Sequence, residues 1–209
     1  MKEVYISVDV ECDGPIPGLY SMTALGVSVA GVCTREGNGL TYSKHDPFER
    51  VYYVEIAPTS DLWNAEAMKI GLFSGFDAEA AKEDPTGEQR RTYIMEHGKP
   101  AEEAMTEFVE WVEKVSKELN AVPVFAAYPL GFDWMWTYWY MMNFCGRSPF
   151  SHGRHIDIKT LYSAKYQSTI TRATKRYMPR SLRSGIAHTH LAVDDAAEQG
   201  ELLMNILMG

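Results

Sequence analysis

Asp9 and Glu11 stand two residues apart in a segment, residues 3 to 11, that sets Val4, Ile6, Val8 and Val10 against Tyr5, Ser7, Asp9 and Glu11. A period of two is a strand signature, so both carboxylates leave the same face, opposite the valines. On a central strand two such groups repel each other and lose hydration. A bound cation relieves both costs, and paired hard oxygen ligands suit Mg²⁺ or Mn²⁺ better than zinc. On an edge strand the same pair is simply a solvated face, and spacing alone does not separate the cases.

Asp133 follows Tyr128-Pro129-Leu130-Gly131-Phe132, directly after the short apolar run 122 to 128 and at the start of an aromatic segment. Sites in open α/β sheets gather beyond the carboxyl ends of strands, where this residue falls. A helix cap, favoured by the macrodipole, is the competing explanation. Asp195 opens the last helix on the line of Gln199, Leu202, Leu203 and Ile206, whereas Asp194 lines up with Glu198, Glu201 and Asn205 on the wet face. Asp195 therefore points inward, where a carboxylate must be paired, metal-bound or protonated. A dipole partner at a helix start explains its placement but not its direction.

Taken in order, Asp9-Val10-Glu11, Phe132-Asp133 and His190-x-Ala-x-x-Asp195-Ala196 resemble the DEDDh exonucleases, a family that includes proofreading exonucleases, oligoribonuclease and ribonuclease T. The landmarks run from residue 9 to 196, so the likeness covers nearly the whole chain. It implies a ribonuclease-H-like fold and a metal-dependent 3′-5′ exonuclease acting on single-stranded RNA or DNA ends. RNA is somewhat favoured, because a small freestanding domain resembles oligoribonuclease as much as a proofreader. It further implies two divalent ions, Mg²⁺ or Mn²⁺. Asp9 would bridge both, Glu11 and Asp195 would help hold the one nearer the attacking water, and Asp133 would support the other. His190 would be the general base, a role open to a group that titrates near neutrality. Two departures are visible: Cys12 stands where many members have threonine, and Tyr128-Pro129 where a His-Asn-like pair is frequent. Both fall among groups that would position substrate, and the metal-water chemistry gives Cys12 no nucleophilic role.

The elements that must carry these groups can be read coarsely. After the first strand and a Gly/Pro-rich turn at 13 to 18, strands are expected at 22 to 33 and 50 to 56 with a polar stretch between them, an antiparallel meander. A short helix at 64 to 71 and a charged connector lead to a helix over 101 to 119, in which Ala104, Met105, Phe108, Trp111, Val112, Val115 and Leu119 recur at helical spacing. Residues 122 to 128 suit a buried parallel strand, 134 to 144 an aromatic helix, 156 to 158 a brief strand or turn before another helix, and 192 to 208 the last helix. The class expected is a mixed α/β sheet with helices on both faces.

Composition narrows the field. The 209 residues, 45% hydrophobic and without a compositional break, suit one domain spanning 1 to 209. Three scattered cysteines without CxxC spacing argue against disulfides and structural zinc. The Met-Lys-Glu start enters a strand pattern at once and no apolar run approaches bilayer length, so a cytoplasmic location without a membrane is expected. A formal charge of −8 and a pI near 5.3 exclude a broad basic surface for gripping duplexes, though carboxylates filled with divalent cations can bind phosphate.

Between Thr169 and Ser184 stand Arg172, Lys175, Arg176, Arg180 and Arg183 with no acidic residue. Either this stretch meets the substrate's phosphates or it is a solvated helix and loop. The aromatic run Trp134 to Phe144 reads mainly as core, with Trp134 or Met22 as edges against a terminal base and Cys12 nearby; its Trp/Met-rich face also leaves a homodimer open. Alanine at both Arg176 and Arg180 is expected to raise KM for an oligonucleotide and flatten its salt dependence, and unchanged values would remove phosphate binding from this stretch.

Overall fold

The computed structural model describes residues 1–76 and 82–209. β1 (Lys2–Cys12) lies centrally, antiparallel to β2 (Met22–Glu36), and β2 is paired along its outer edge by β4 (Val51–Glu55) and then β3 (Gly39–Lys44). On the other side β5 (Val122–Ala127) joins β1 in parallel, followed by β6 (His155–Asp157). The sheet is thus mixed, in the order β3-β2-β1-β5-β6 with β4 on β2.

Both faces are covered. Val4, Ile6, Val8 and Val10 share a core with Ala104, Met105, Phe108, Val112 and Val115 of α3 (Ala101–Glu118). Tyr5, on the opposite face, belongs to a second core with Leu202, Leu203 and Ile206 of α6 (Ala192–Met208). The period-two strand and the period-3.6 helices therefore agree on one layered arrangement.

The seating of α6 depends on missing side chains. A Cβ on Gly26 would lie 2.0 Å from the Ala192 carbonyl carbon and 2.1 Å from its oxygen, so the helix start touches the bare β2 backbone. Gly26 is the register partner of Asp9. Further along, a Cβ on Gly200 would stand 3.1 Å from both Ser7 Cβ and Ala30 Cβ. Small residues on both surfaces lower the first turn of α6 onto the sheet beside Asp9.

Several elements differ from the sequence reading. The polar stretch holds β3. The charged connector holds α2 (Glu88–His97) beside α1 (Ala65–Met68), while its residues 77 to 81 lie outside the described residues. α2 escapes a periodicity search because its buried positions are Arg90, Arg91 and Ile94, two of them charged. The aromatic helix α4 (Leu130–Tyr140) starts earlier than expected and ends in a π turn over Met141–Cys145. The basic stretch forms only a short 3₁₀ turn, Lys175–Tyr177, after α5 (Ile158–Lys165). Glu198, expected on the wet face of α6, is buried, because that basic stretch folds over it and Lys175 pairs with its carboxylate.

Replacing Gly26 with valine is expected to cost about 1–3 kcal/mol by overpacking the helix against the strand, whereas Gly131→Ala, which meets nothing within 4 Å, should leave stability unchanged. Urea unfolding of the two variants checks this; equal stabilities would contradict the close seating of α6.

Candidate active site

Asp9 and Glu11 project from the end of β1, and the turn that follows is clamped. The buried Asp13 carboxylate accepts from Arg91 Nη1 at 2.9 Å and from the Ser21 amide at 2.5 Å, while the Asp13 carbonyl accepts from the Asn64 amide at 2.7 Å. Burial pushes the Asp13 carboxyl up, and Arg91 and Ser21 oppose that rise. α2 thus serves the site from behind, through an ion pair absent from the sequence reading.

Asp133 lies in the first turn of α4, but that helix has no side-chain cap; its Oδ1 instead accepts the Val10 amide at 3.2 Å, between the two carboxylates of β1. Asp195 Oδ1 accepts the Thr189 amide at 2.9 Å and Oδ2 the His190 amide at 3.1 Å. Gln199, one turn further along α6, donates from Nε2 to Asp9 Oδ1 at 2.5 Å, and its Oε1 is buried without a partner. One carboxylate oxygen each from Asp9, Glu11 and Asp195 lies within 4.8 Å of the others. Gly71 leaves room for Glu11, since a Cβ there would stand 3.0 Å from Oε2.

Such crowding is electrostatically expensive. Lost hydration, then Asp133, Glu11 and Asp195, hold the Asp9 carboxyl well above the ordinary range, with Lys175 pulling the other way. Glu11 is pushed from 4.5 to about 8 by burial and then by Asp195 and Asp133. Asp133 is pushed from 3.8 to about 7 by burial, against the hydrogen bond from Val10. Crowded oxygen donors whose burial, joined at Asp9 and Glu11 by mutual repulsion, raises their proton affinity are the donor set of a hard divalent cation, so these residues fit Mg²⁺ or Mn²⁺.

His190 has a left-handed backbone, φ 64°, which sends its amide to Asp195 while its carbonyl accepts the Leu72 amide at 2.8 Å. Its ring is exposed beside Asp195, within the same 4.8 Å grouping as His188. His188 escaped the sequence reading because it precedes the motif; its Nδ1 stands 3.0 Å from Asp195 Oδ1.

The expected substrate-positioning residues do not converge. Met22 is fully buried and cannot offer an edge to a base; its amide donates to Tyr140 Oη at 2.7 Å, which holds it in the core. Cys12 is half-buried, and burial followed by the Glu11 and Asp133 charges pushes its thiol up, away from nucleophilic use. Trp134 stacks on Tyr138 at 5.0 Å and lines an open cavity of 460 Å³ with Pro17, Met135, Trp139 and Met142. Arg172 and Arg176 are exposed, with guanidinium groups 5.5 and 4.5 Å from the Tyr177 ring, and Arg180 is exposed as well. The cation of this stretch that reaches the carboxylates is Lys175, paired with Glu198 and 5.4 Å from the Tyr128 ring, whose hydroxyl donates to the Ala173 carbonyl at 2.6 Å.

Known proteins share this fold. No family profile matches the chain. The chain is 28% identical to the 3′-5′ DNA exonuclease Cap18 of Escherichia coli over 201 residues, covering 96% of this chain and 90% of that one. Its fold matches the nuclease domain of 3′hExo, a DEDDh family member bound to rAMP, with TM-score 0.63 at 10% identity over 99% of this chain and 92% of that one. The fold is that of a DEDDh exonuclease domain. E. coli exonuclease I in complex with a dT13 oligonucleotide also matches, with TM-score 0.55 at 12% identity, and this chain spans 40% of its length. Among the described residues no helix is long and apolar enough to cross a membrane.

The raised carboxyls of this acidic site set a pH dependence. The cation-free folded chain retains protons that the unfolded chain releases, so their contribution to stability is full below the ordinary values of 3.8 to 4.5 and is lost as pH rises to about 7 and 8. Melting temperatures in chelator are expected to fall over that range, and added Mg²⁺ should restore them at the alkaline end while doing little at pH 5, where protons hold the ligands. A pH-independent melt unaffected by Mg²⁺ would contradict the crowding.

Proposed function

We propose that this chain hydrolyses single-stranded nucleic acid stepwise from the 3′ end, as a metal-dependent exonuclease, with DNA as its first substrate. The observation that carries the reading is the crowding of Asp9, Glu11 and Asp195 oxygens within 4.8 Å, with Asp133 bonded between the first two and the exposed His190 ring beside them. The choice of DNA is supported by the activity named for the 28% identical relative; 3′hExo and exonuclease I, at 10% and 12% identity, carry no weight on the sugar.

Asp9, Glu11, Asp133 and Asp195 would hold two divalent cations. When bound, these supply positive charge to the attacking and leaving oxygens of an in-line displacement. The remaining tasks fall to the chain itself. Gln199 fixes the rotamer of Asp9 by donating to Oδ1, so one carboxylate edge keeps a constant direction. The ring of His190 accepts the proton of the attacking water, and Asp195 steadies that residue through its amide. Lys175, neutralised by Glu198 in the free protein, would meet a backbone phosphate of the bound strand.

A 5′-labelled single strand incubated with Mg²⁺ or Mn²⁺ is expected to yield a ladder shortening from the 3′ end, faster for DNA than for matched RNA. Asp9→Ala should abolish the ladder. His190→Ala should lose about 10²- to 10⁴-fold in rate while keeping the Mg²⁺-induced rise in melting temperature. Full activity in either variant would end this assignment, and a faster RNA ladder would reverse the choice of sugar.

A further inference from the structure

His188, His190 and Asp195 form a second ligand set that shares one member with the acidic cluster. We propose that this set binds a single zinc-class transition-metal ion and that its occupancy switches hydrolysis off. The binding stands on geometry alone; the inhibition rests on the hydrolytic reading above.

A ring nitrogen from each histidine and a carboxylate oxygen of Asp195 lie within 4.8 Å of one another. His188 Nδ1 is 3.0 Å from Asp195 Oδ1. Two ligands of a tetrahedral zinc, each about 2.0–2.1 Å from the ion, stand about 3.3 Å apart, so this edge is within a few tenths of an ångström of a coordinating one. The two rings meet edge to face with centroids 4.5 Å apart. The left-handed turn at His190 contributes to this, since φ 64° bends the chain where an extended tripeptide would run straight.

The chemistry of the set differs from that of its neighbour. Two imidazoles and one carboxylate match zinc and related ions, whereas Mg²⁺ takes oxygen ligands almost throughout. Asp195 is buried and already oriented by the Thr189 and His190 amides, as the carboxylate of a built metal site is. Both histidines are exposed, so an ion enters from solvent, and three protein ligands leave a fourth position open. In the ion-free chain Glu198 Oε2 lies 3.3 Å from His188 Nδ1 and is itself paired with Lys175, so it keeps a partner when His188 turns to an ion. An ion held here would take Asp195 as its own ligand and occupy a ring nitrogen of His190, two groups that the hydrolytic reading needs free.

Titration of the full chain with Zn²⁺ against a chromogenic zinc chelator, in excess Mg²⁺, is expected to show one zinc per chain, weakened at least about tenfold in His188→Gln. In the ladder assay zinc should inhibit the wild type, while His188→Gln keeps its Mg²⁺-supported rate and needs at least about tenfold more zinc for equal inhibition. The exposed position of His188 lets the variant fold, and a zinc-free melting temperature equal to the wild type's is the check. Unchanged zinc affinity in His188→Gln overturns the proposal. So does zinc binding that Asp9→Asn abolishes and His188→Gln preserves, since the ion would then sit on the acidic cluster. A chain that binds zinc through His188 yet cleaves nothing with Mg²⁺ would overturn the hydrolytic reading and support the zinc site.

Discussion

Four carboxylates gathered at one end of a sheet repel one another, and much of this structure exists to hold them there against that repulsion. Apart from His188 beside Asp195, the groups that restrain them carry no charge. Gln199 donates to Asp9, the Val10 amide to Asp133, and the Thr189 and His190 amides to Asp195, while Glu11 is packed against Gly71. Neutral donors fix direction without cancelling the charge that a cation needs. A lysine or arginine directly on Asp9 or Glu11 would remove the strain and the binding site together. The cation nearest them, Lys175, is kept one step away on Glu198.

The restraints come from distant parts of the chain, and packing brings them together. The close approach of α6 to Gly26 sets the height of Asp195 above the sheet. The buried Asp13–Arg91 pair sets the turn that leaves β1, and the Tyr128–Ala173 bond ties the basic stretch to the end of β5. A buried ion pair such as Asp13–Arg91 adds little net stability when compared with well-packed apolar groups. Its effect here is directional, since it connects α2 to the strand bearing two of the four acids.

The legible parts of this molecule were those governed by a local period. Alternation placed Asp9 and Glu11 on one face, and helical spacing turned Asp195 inward and marked the face of α3 that meets the core. Where a neighbour overrides the period, the reading fails. Glu198 keeps its wheel position but is buried under Lys175 and His188, and α2 buries arginines where a periodicity search looks for leucines. Met22 has the chemistry of a base-stacking edge, yet its strand carries it into the core, which no spacing rule shows. His188 was invisible for another reason: its nearness to Asp195 is created by the backbone turn at His190, and a positive φ on a non-glycine residue leaves no mark in sequence.

The docking of α6 on Gly26 also has a bearing on synthesis. A ribosome delivers Asp9 and Glu11 early and Asp195 far later, and the late acid reaches the early pair only after its helix has settled on β2. A nascent or truncated chain ending before residue 195 therefore presents an incomplete ligand set.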